Sequence, residues 1–150
     1  MSFDKDWKKE SEAAIKATQE TVKVAAIELF SGVILSSPVG NPSLWKNPNS
    51  AEPGYSGGAF RSNSFLSFNQ PSTKTTDATN EESARLGEIN AISTMKYSHT
   101  YFLTNNLPYA ERLDQGYSTQ APLGVTQPNL SRVRALIPRI AATANKKFGV

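Results

Sequence analysis

The run Asp4-Lys-Asp-Trp-Lys-Lys-Glu-Ser-Glu-Ala-Ala-Ile-Lys-Ala-Thr-Gln-Glu-Thr-Val-Lys-Val-Ala-Ala-Ile-Glu-Leu-Phe-Ser-Gly-Val-Ile34 contains no proline, and its only glycine is Gly32. Ile15, Val22, Ala26, Leu29 and Val33 recur at spacings of 7, 4, 3 and 4, with Trp7, Ala14, Thr18 and Ala25 beside them. That is the period of one helix face, and Lys and Glu fill the other side. Asp4 and Asp6 suit the partial positive charge at a helix start. The spacing predicts an amphipathic helix over about residues 4–34 with that stripe turned to the core. Ser36-Ser-Pro-Val-Gly-Asn-Pro42 ends it, because proline cannot continue a helix and restricts the residue before it.

Working outward, residues 38–58 hold four prolines, four glycines and three asparagines and read as a long irregular loop. Tyr55 to Phe68 reads as a strand. Phe60, Ser62, Ser64, Leu66 and Phe68 share one face of it, and Arg61, Asn63, Phe65 and Ser67 the other. Residues 69–80 are polar and read as a second exposed, mobile loop. Glu81 to Met95 reads as a helix carrying Ala84, Leu86, Ile89 and Ile92, and Lys96 to Thr104 as an aromatic, β-branched strand. Leu107 to Gly116 reads as a short helix with Pro108 in its first turn and Gly116 at its C-terminal cap. Thr126 onward predicts a last helix with Leu130, Val133, Ile137, Ile140, Ala144 and Phe148 at helical spacing, kinked or divided at Pro138. The expectation is an α+β fold forming one domain over 1–150: N- and C-terminal helices packed on a small, mostly antiparallel sheet, with long polar loops.

Composition removes most enzyme designs. The chain of 150 residues has no cysteine and one histidine, His99. Thiolate nucleophiles, cysteine zinc sites and multi-histidine metal sites are therefore excluded. Gly54-Tyr-Ser-Gly-Gly58 lacks the Lys-Ser/Thr of a phosphate-binding loop and reads as a turn. Glu111 and Asp114, three apart with Arg112 between them, have no companion base and read as a solvated or interface-facing helix. His99 reads as a packed or surface histidine. No cofactor or metal is implied. No apolar run reaches the roughly 18 residues of a membrane span, and Met1 to Glu10 carries no signal-peptide core, so the chain is expected to stay where it is made.

Charge is uneven. The net +3 comes entirely from residues 126–150, where Arg132, Arg134, Arg139, Lys146 and Lys147 face no acid, while residues 1–30 and 31–125 each carry −1. Such a segment suits either an anionic partner or a solvated helix whose cations complement its C-terminus. No zinc knuckle, helix-turn-helix or interleaved aromatic-basic motif accompanies it, so any DNA contact would be electrostatic.

The stretch Tyr101-Phe-Leu-Thr-Asn-Asn-Leu-Pro-Tyr-Ala-Glu-Arg-Leu-Asp-Gln-Gly-Tyr-Ser-Thr-Gln-Ala-Pro-Leu-Gly-Val125 resembles the signature of the neck or tail-completion family of long-tailed bacteriophages. In that family a strand ends in Asn, Pro-Tyr-Ala opens a helix, and a Gly-Tyr/Trp-Ser…Gln-Ala-Pro loop precedes the last helix. Ser37-Pro-Val-Gly and Tyr55-Ser-Gly-Gly-Ala-Phe-Arg-Ser-Asn63 are similar to the family's segment before its first strand. The likeness runs from about residue 10 to 145, with departures at Ser64, where an aromatic is expected, and at Pro138.

The resemblance implies a virion protein without catalytic activity, made in the host bacterial cytoplasm. It implies a ring, hexameric, at the head–tail junction that completes the tail and joins it to the DNA-filled head. The implied partners are further copies of itself, the adaptor or head-completion ring, the tail terminator or tail tube, and phage DNA in transit, with no membrane. Tyr55, Phe60, Arg61, Tyr109, Arg112 and Tyr117 are expected at subunit or partner interfaces. Tyr109 and Leu113 have the alternative of pinning their helix to the core. The five C-terminal cations are expected to face the channel or an acidic partner ring. The rivals are a tail terminator and, from a different class, a small sequence-independent DNA-binding accessory protein.

Overall fold

A computed structural model describes residues 2–40, 49 and 57–150. The order is α1 (Phe3–Ser36), α2 (Ala59–Ser62), β1 (Ser64–Ser67), α3 (Glu82–Asn90), a 3-10 turn (Ala91–Thr94), β2 (Phe102–Asn105), α4 (Ala110–Asp114) and α5 (Thr126–Phe148). The fold is α+β, with the two long helices and a two-stranded antiparallel sheet. The sheet pairs Ser64 with Asn105, Phe65 with Thr104, Leu66 with Leu103 and Ser67 with Phe102.

The core lies between the C-terminal half of α1 and the α3–sheet layer. Ala26, Phe30 and Ile34 of α1 meet Ile89 and Ile92, flanked by Ile27, Leu29, Leu66, Leu86, Tyr101 and Leu103. The expected stripe is therefore rotated. Ala26 is buried and Leu29 borders the core, but Phe30 and Ile34 form its centre, while Ile15 and Trp7 are 56% and 64% exposed.

The other flank of α1 carries α5, running antiparallel. Ser36 Oγ accepts a hydrogen bond from Asn129 Nδ2, Glu28 pairs with Arg132, and Glu20 pairs with Lys147. Gly32 permits this approach, since a Cβ there would collide with the Asn129 and Arg132 side chains.

The segment read as a strand from Tyr55 to Phe68 is extended only over β1. Gly58, at φ 111°, starts a helical turn, and Asn63 Nδ2 bonds back to the Ala59 carbonyl at 2.7 Å, so the chain from Ala59 curls before it extends. The alternation of faces fails with it: Phe60, Ser62, Asn63, Ser64 and Phe65 are all buried.

Likewise the second expected strand, Lys96 to Thr104, is paired only from Phe102 on, and the pairing runs through Asn105. Residues 96–101 are irregular, with Tyr97 edge-on to His99 and Tyr101. Residues 69–80, expected to be mobile, are pinned at two points. Asn63 exchanges hydrogen bonds with the Thr76 backbone in both directions, and Asn106 Nδ2 donates to the Ser72 and Lys74 carbonyls.

α5 passes through Pro138 as one helix. Pro138 lies on the exposed side, so the Arg134 carbonyl that loses its donor borders water rather than core. Among the described residues no helix is long and apolar enough to cross a membrane.

Candidate functional site

The stretch after β2 builds a loop that closes on itself. Asn105 ends the strand by accepting from the Leu107 N–H and donating through Nδ2 to the Phe60 carbonyl. α4 follows and stops at Gly116, which sits at φ 90°. The Gly116 N–H bonds to Leu113 O and the Tyr117 N–H to Arg112 O, the paired bonds of a glycine-terminated helix.

Asp114 closes the base of the loop. Its Oδ1 accepts from the backbone N–H groups of Val125 and Thr126, at 3.1 and 2.8 Å, and so caps the start of α5 from eleven residues upstream. Gly124, at φ 78°, lies so close to the Asp114 carbonyl that no side chain fits there. The Gly116 backbone likewise packs on the Pro122 carbonyl, next to Leu123 N, and Tyr117 and Leu123 both reach the surface. They are 72% and 78% exposed.

The Arg112 guanidinium stands over the Tyr117 ring at 5.5 Å. Gln120 ties the loop to the end of α1: its side-chain amide accepts from the Val39 N–H and donates to the Val39 carbonyl.

The expected interface residues therefore separate into two groups. Tyr117 and Arg112 stand at the exposed tip. Tyr109 is half-exposed, 6.3 Å from the ring of Phe60, so it contributes to packing as well. Phe60 is buried, and Arg61 is spent on the fold. Its guanidinium donates to the carbonyls of Leu35 and Ser37 at the end of α1 and pairs with Glu82 at 2.9 Å. These two are corrected to structural anchors: the terminal carbonyls of α1 lack helical partners, and a guanidinium fork satisfies two of them. Tyr55 lies outside the described residues.

Glu111 and Asp114 border a cleft of about 310 Å³ with Phe60, Leu103, Asn105 and Val125. Asp114 spends one oxygen on the α5 cap, and Glu111 accepts from Gln115 Nε2 at 3.3 Å. Sequence reasoning missed Asp114 as a cap, because the partner N–H groups lie eleven residues on. Gln120 was missed because a single glutamine carries no periodic signal. Among the described residues no group of three or more His, Asp or Glu is placed to hold a metal ion.

The C-terminal cations also divide. Arg132 bonds to the Glu28 carbonyl and carboxylate, and Lys147 pairs with Glu20 and lies over the Phe148 ring. Both lace α5 to α1 while staying exposed. Arg134, Arg139 and Lys146 are exposed with no ion pair among the described residues. Arg139 and Lys146 follow each other at seven residues on one flank, while Arg134 falls on another.

Comparison of the chain with protein-family models, with curated proteins and with solved structures finds no match in any of the three.

Proposed function

We propose that the chain is a structural subunit of a tailed-phage virion, a non-catalytic ring protein of the neck that completes the tail and joins it to the filled head. The reading rests on the Pro-Tyr-Ala and Gln-Ala-Pro stretch. The observation that favours it is the build of that same stretch. Two positive-φ glycines, an aspartate cap and a glutamine clamp hold a short loop in place, yet its Tyr117 and Leu123 are 72% and 78% exposed. Backbone order imposed on an exposed aromatic–aliphatic tip is what a docking element needs, because the ordering entropy is met before the partner arrives.

The experiment is interruption of the gene in the producing phage. DNA-filled heads and completed tails accumulate separately, and the chain supplied in trans restores joined particles. Joined, infectious particles without the chain would refute the neck role. Long, unregulated tails would assign the chain to the tail terminator instead.

A second reading, electrostatic binding of DNA, is favoured by Arg134, Arg139 and Lys146, exposed and without an ion pair among the described residues. Three phosphate contacts give a shallow salt dependence, with a log–log slope of roughly −3. DNA binding by the purified chain with that slope would favour the DNA-binding class, and no measurable binding would favour the structural one.

A further inference from the structure

The cleft beside α4 has apolar walls and an acidic opening. Val33, Phe60, Leu103 and Val125 line it, with Phe60 and Val125 buried, and its charged residues are the exposed Glu111 and Asp114. No basic side chain lines it, so the lining carries −2. With Arg112, which lies against the Tyr117 ring, α4 as a whole still carries −1.

Each acid has spent one oxygen. Asp114 Oδ1 caps α5 and Glu111 Oε1 accepts from Gln115, and the second oxygen of each has no partner among the described residues. A cleft of this build fits an arginine. The stem of that side chain packs on apolar surface while its guanidinium fork binds carboxylates.

The chain's own arginines narrow the choice. Of the six, Arg61, Arg85 and Arg132 pair with glutamates, and Arg112 stands over Tyr117. Arg134 and Arg139 remain, exposed and with no side-chain ion pair among the described residues. Lys146 stands seven residues on from Arg139 along the same flank, so that flank offers two unpaired cations to an acidic surface, whereas Arg134 lies on another.

Within one copy the two cannot meet. Thr126 lines the cleft, and Arg139 lies thirteen residues further along the same helix, about 20 Å away. A second copy removes that obstacle, since opposite charges then face each other across the contact. Repeated head to tail, the contact closes a ring when the rotation per copy closes.

We propose that Arg139 of one copy enters the acidic cleft of a second, where it meets Glu111 and Asp114, with Lys146 beside it. This rests on the ring reading above, which supplies the second copy, and names one contact of that ring.

Charge exchange tests it on the purified chain, followed by sedimentation velocity. The parent should self-associate, and Glu111→Arg and Arg139→Glu should each weaken association at least about tenfold. An equimolar mixture of the two single variants should restore it, because every cleft then meets a side chain of opposite charge. The double variant should associate with itself. Arg134→Glu, on the other flank, should associate as the parent does. A second readout uses isotopically light and heavy copies of Arg139→Lys, mixed and treated with a carbodiimide. Light–heavy peptide pairs joined from Glu111 or Asp114 to position 139 are expected.

Absence of that joined pair from the purified chain at every concentration overturns the proposal. So does a mixture that fails to recover the association lost by the single variants, or an equal loss on Arg134→Glu. The same coupling on purified particles separates the contact from the neck assignment. Particles that carry the chain without the joined pair, or with Glu111 joined to a lysine of another protein, refute the contact and leave the neck role standing. Joined chain that is absent from every particle supports the contact and refutes the neck role.

Discussion

The two halves of α1 have the same kind of sequence and opposite fates. From Ala17 to Ser36 the helix is walled on both flanks, by α3 and the sheet on one side and α5 on the other, and Ile34 is fully buried. From Phe3 to Lys16 its main neighbour among the described residues is the close of α5, and Phe3, Trp7 and Ile15 are 80%, 64% and 56% exposed. Apolar residues recur at helical spacing in both halves. Periodicity records which residues share a face, whereas burial needs a second element to cover that face. Among the described residues, α3, the 3-10 turn and the sheet pack on the C-terminal half.

The sharpest way to break this comparison is a matched pair of truncations. Ile34→Ala should cost about 2–5 kcal/mol, because it opens a cavity in the core, and Ile15→Ala should stay within about 0.5 kcal/mol. Urea melts of the two variants measure it, and equal losses would show that the first half is as well packed as the second.

The arginines extend the contrast at smaller scale. Arg61→Ala should lose about 1–3 kcal/mol, since it strips partners from the Leu35 and Ser37 carbonyls and from Glu82. Arg112→Ala, at the exposed tip, should leave the melt within about 0.5 kcal/mol of the parent and show its effect in assembly.

Asp114→Ala tests whether the tip is rigid by construction. Loss of the cap on Val125 and Thr126 should cost about 0.5–2 kcal/mol and speed amide exchange at those two residues. An unchanged exchange rate would show that the glycines alone hold the loop. Smallest of all, Trp7→Ala should shift the urea midpoint by no more than an equivalent of about 0.5 kcal/mol.

The element order was legible because local signals agree. An uninterrupted helical run, prolines at its end, and Gly116 before the last connection each act within a few residues. The strands were overextended because aromatic, β-branched composition marks a pleated surface, while the length of pairing depends on the partner. Asn63 and Gly58 had already curled the chain ahead of β1.

The site was half legible. Tyr117 and Arg112 reach the surface as their types suggest, but of the similar pair Phe60 and Arg61 the ring is buried and the guanidinium, 18% exposed, is spent on the end of α1. Residue type does not separate an arginine that serves a helix end from one that awaits a partner. That distinction rests on which carbonyls lie within reach, a fact of three dimensions. The same holds for the cations of α5, of which Arg132 and Lys147 found acids on α1 that lie more than a hundred residues away in the chain.

The measurement that bears most directly on the neck assignment is immunogold electron microscopy of particles from the producing lysate, with an antibody to this chain. The account predicts label at the head–tail junction of mature virions and, where tails are still free, at their head-proximal end. Absence of label from heads, tails and virions alike would contradict it.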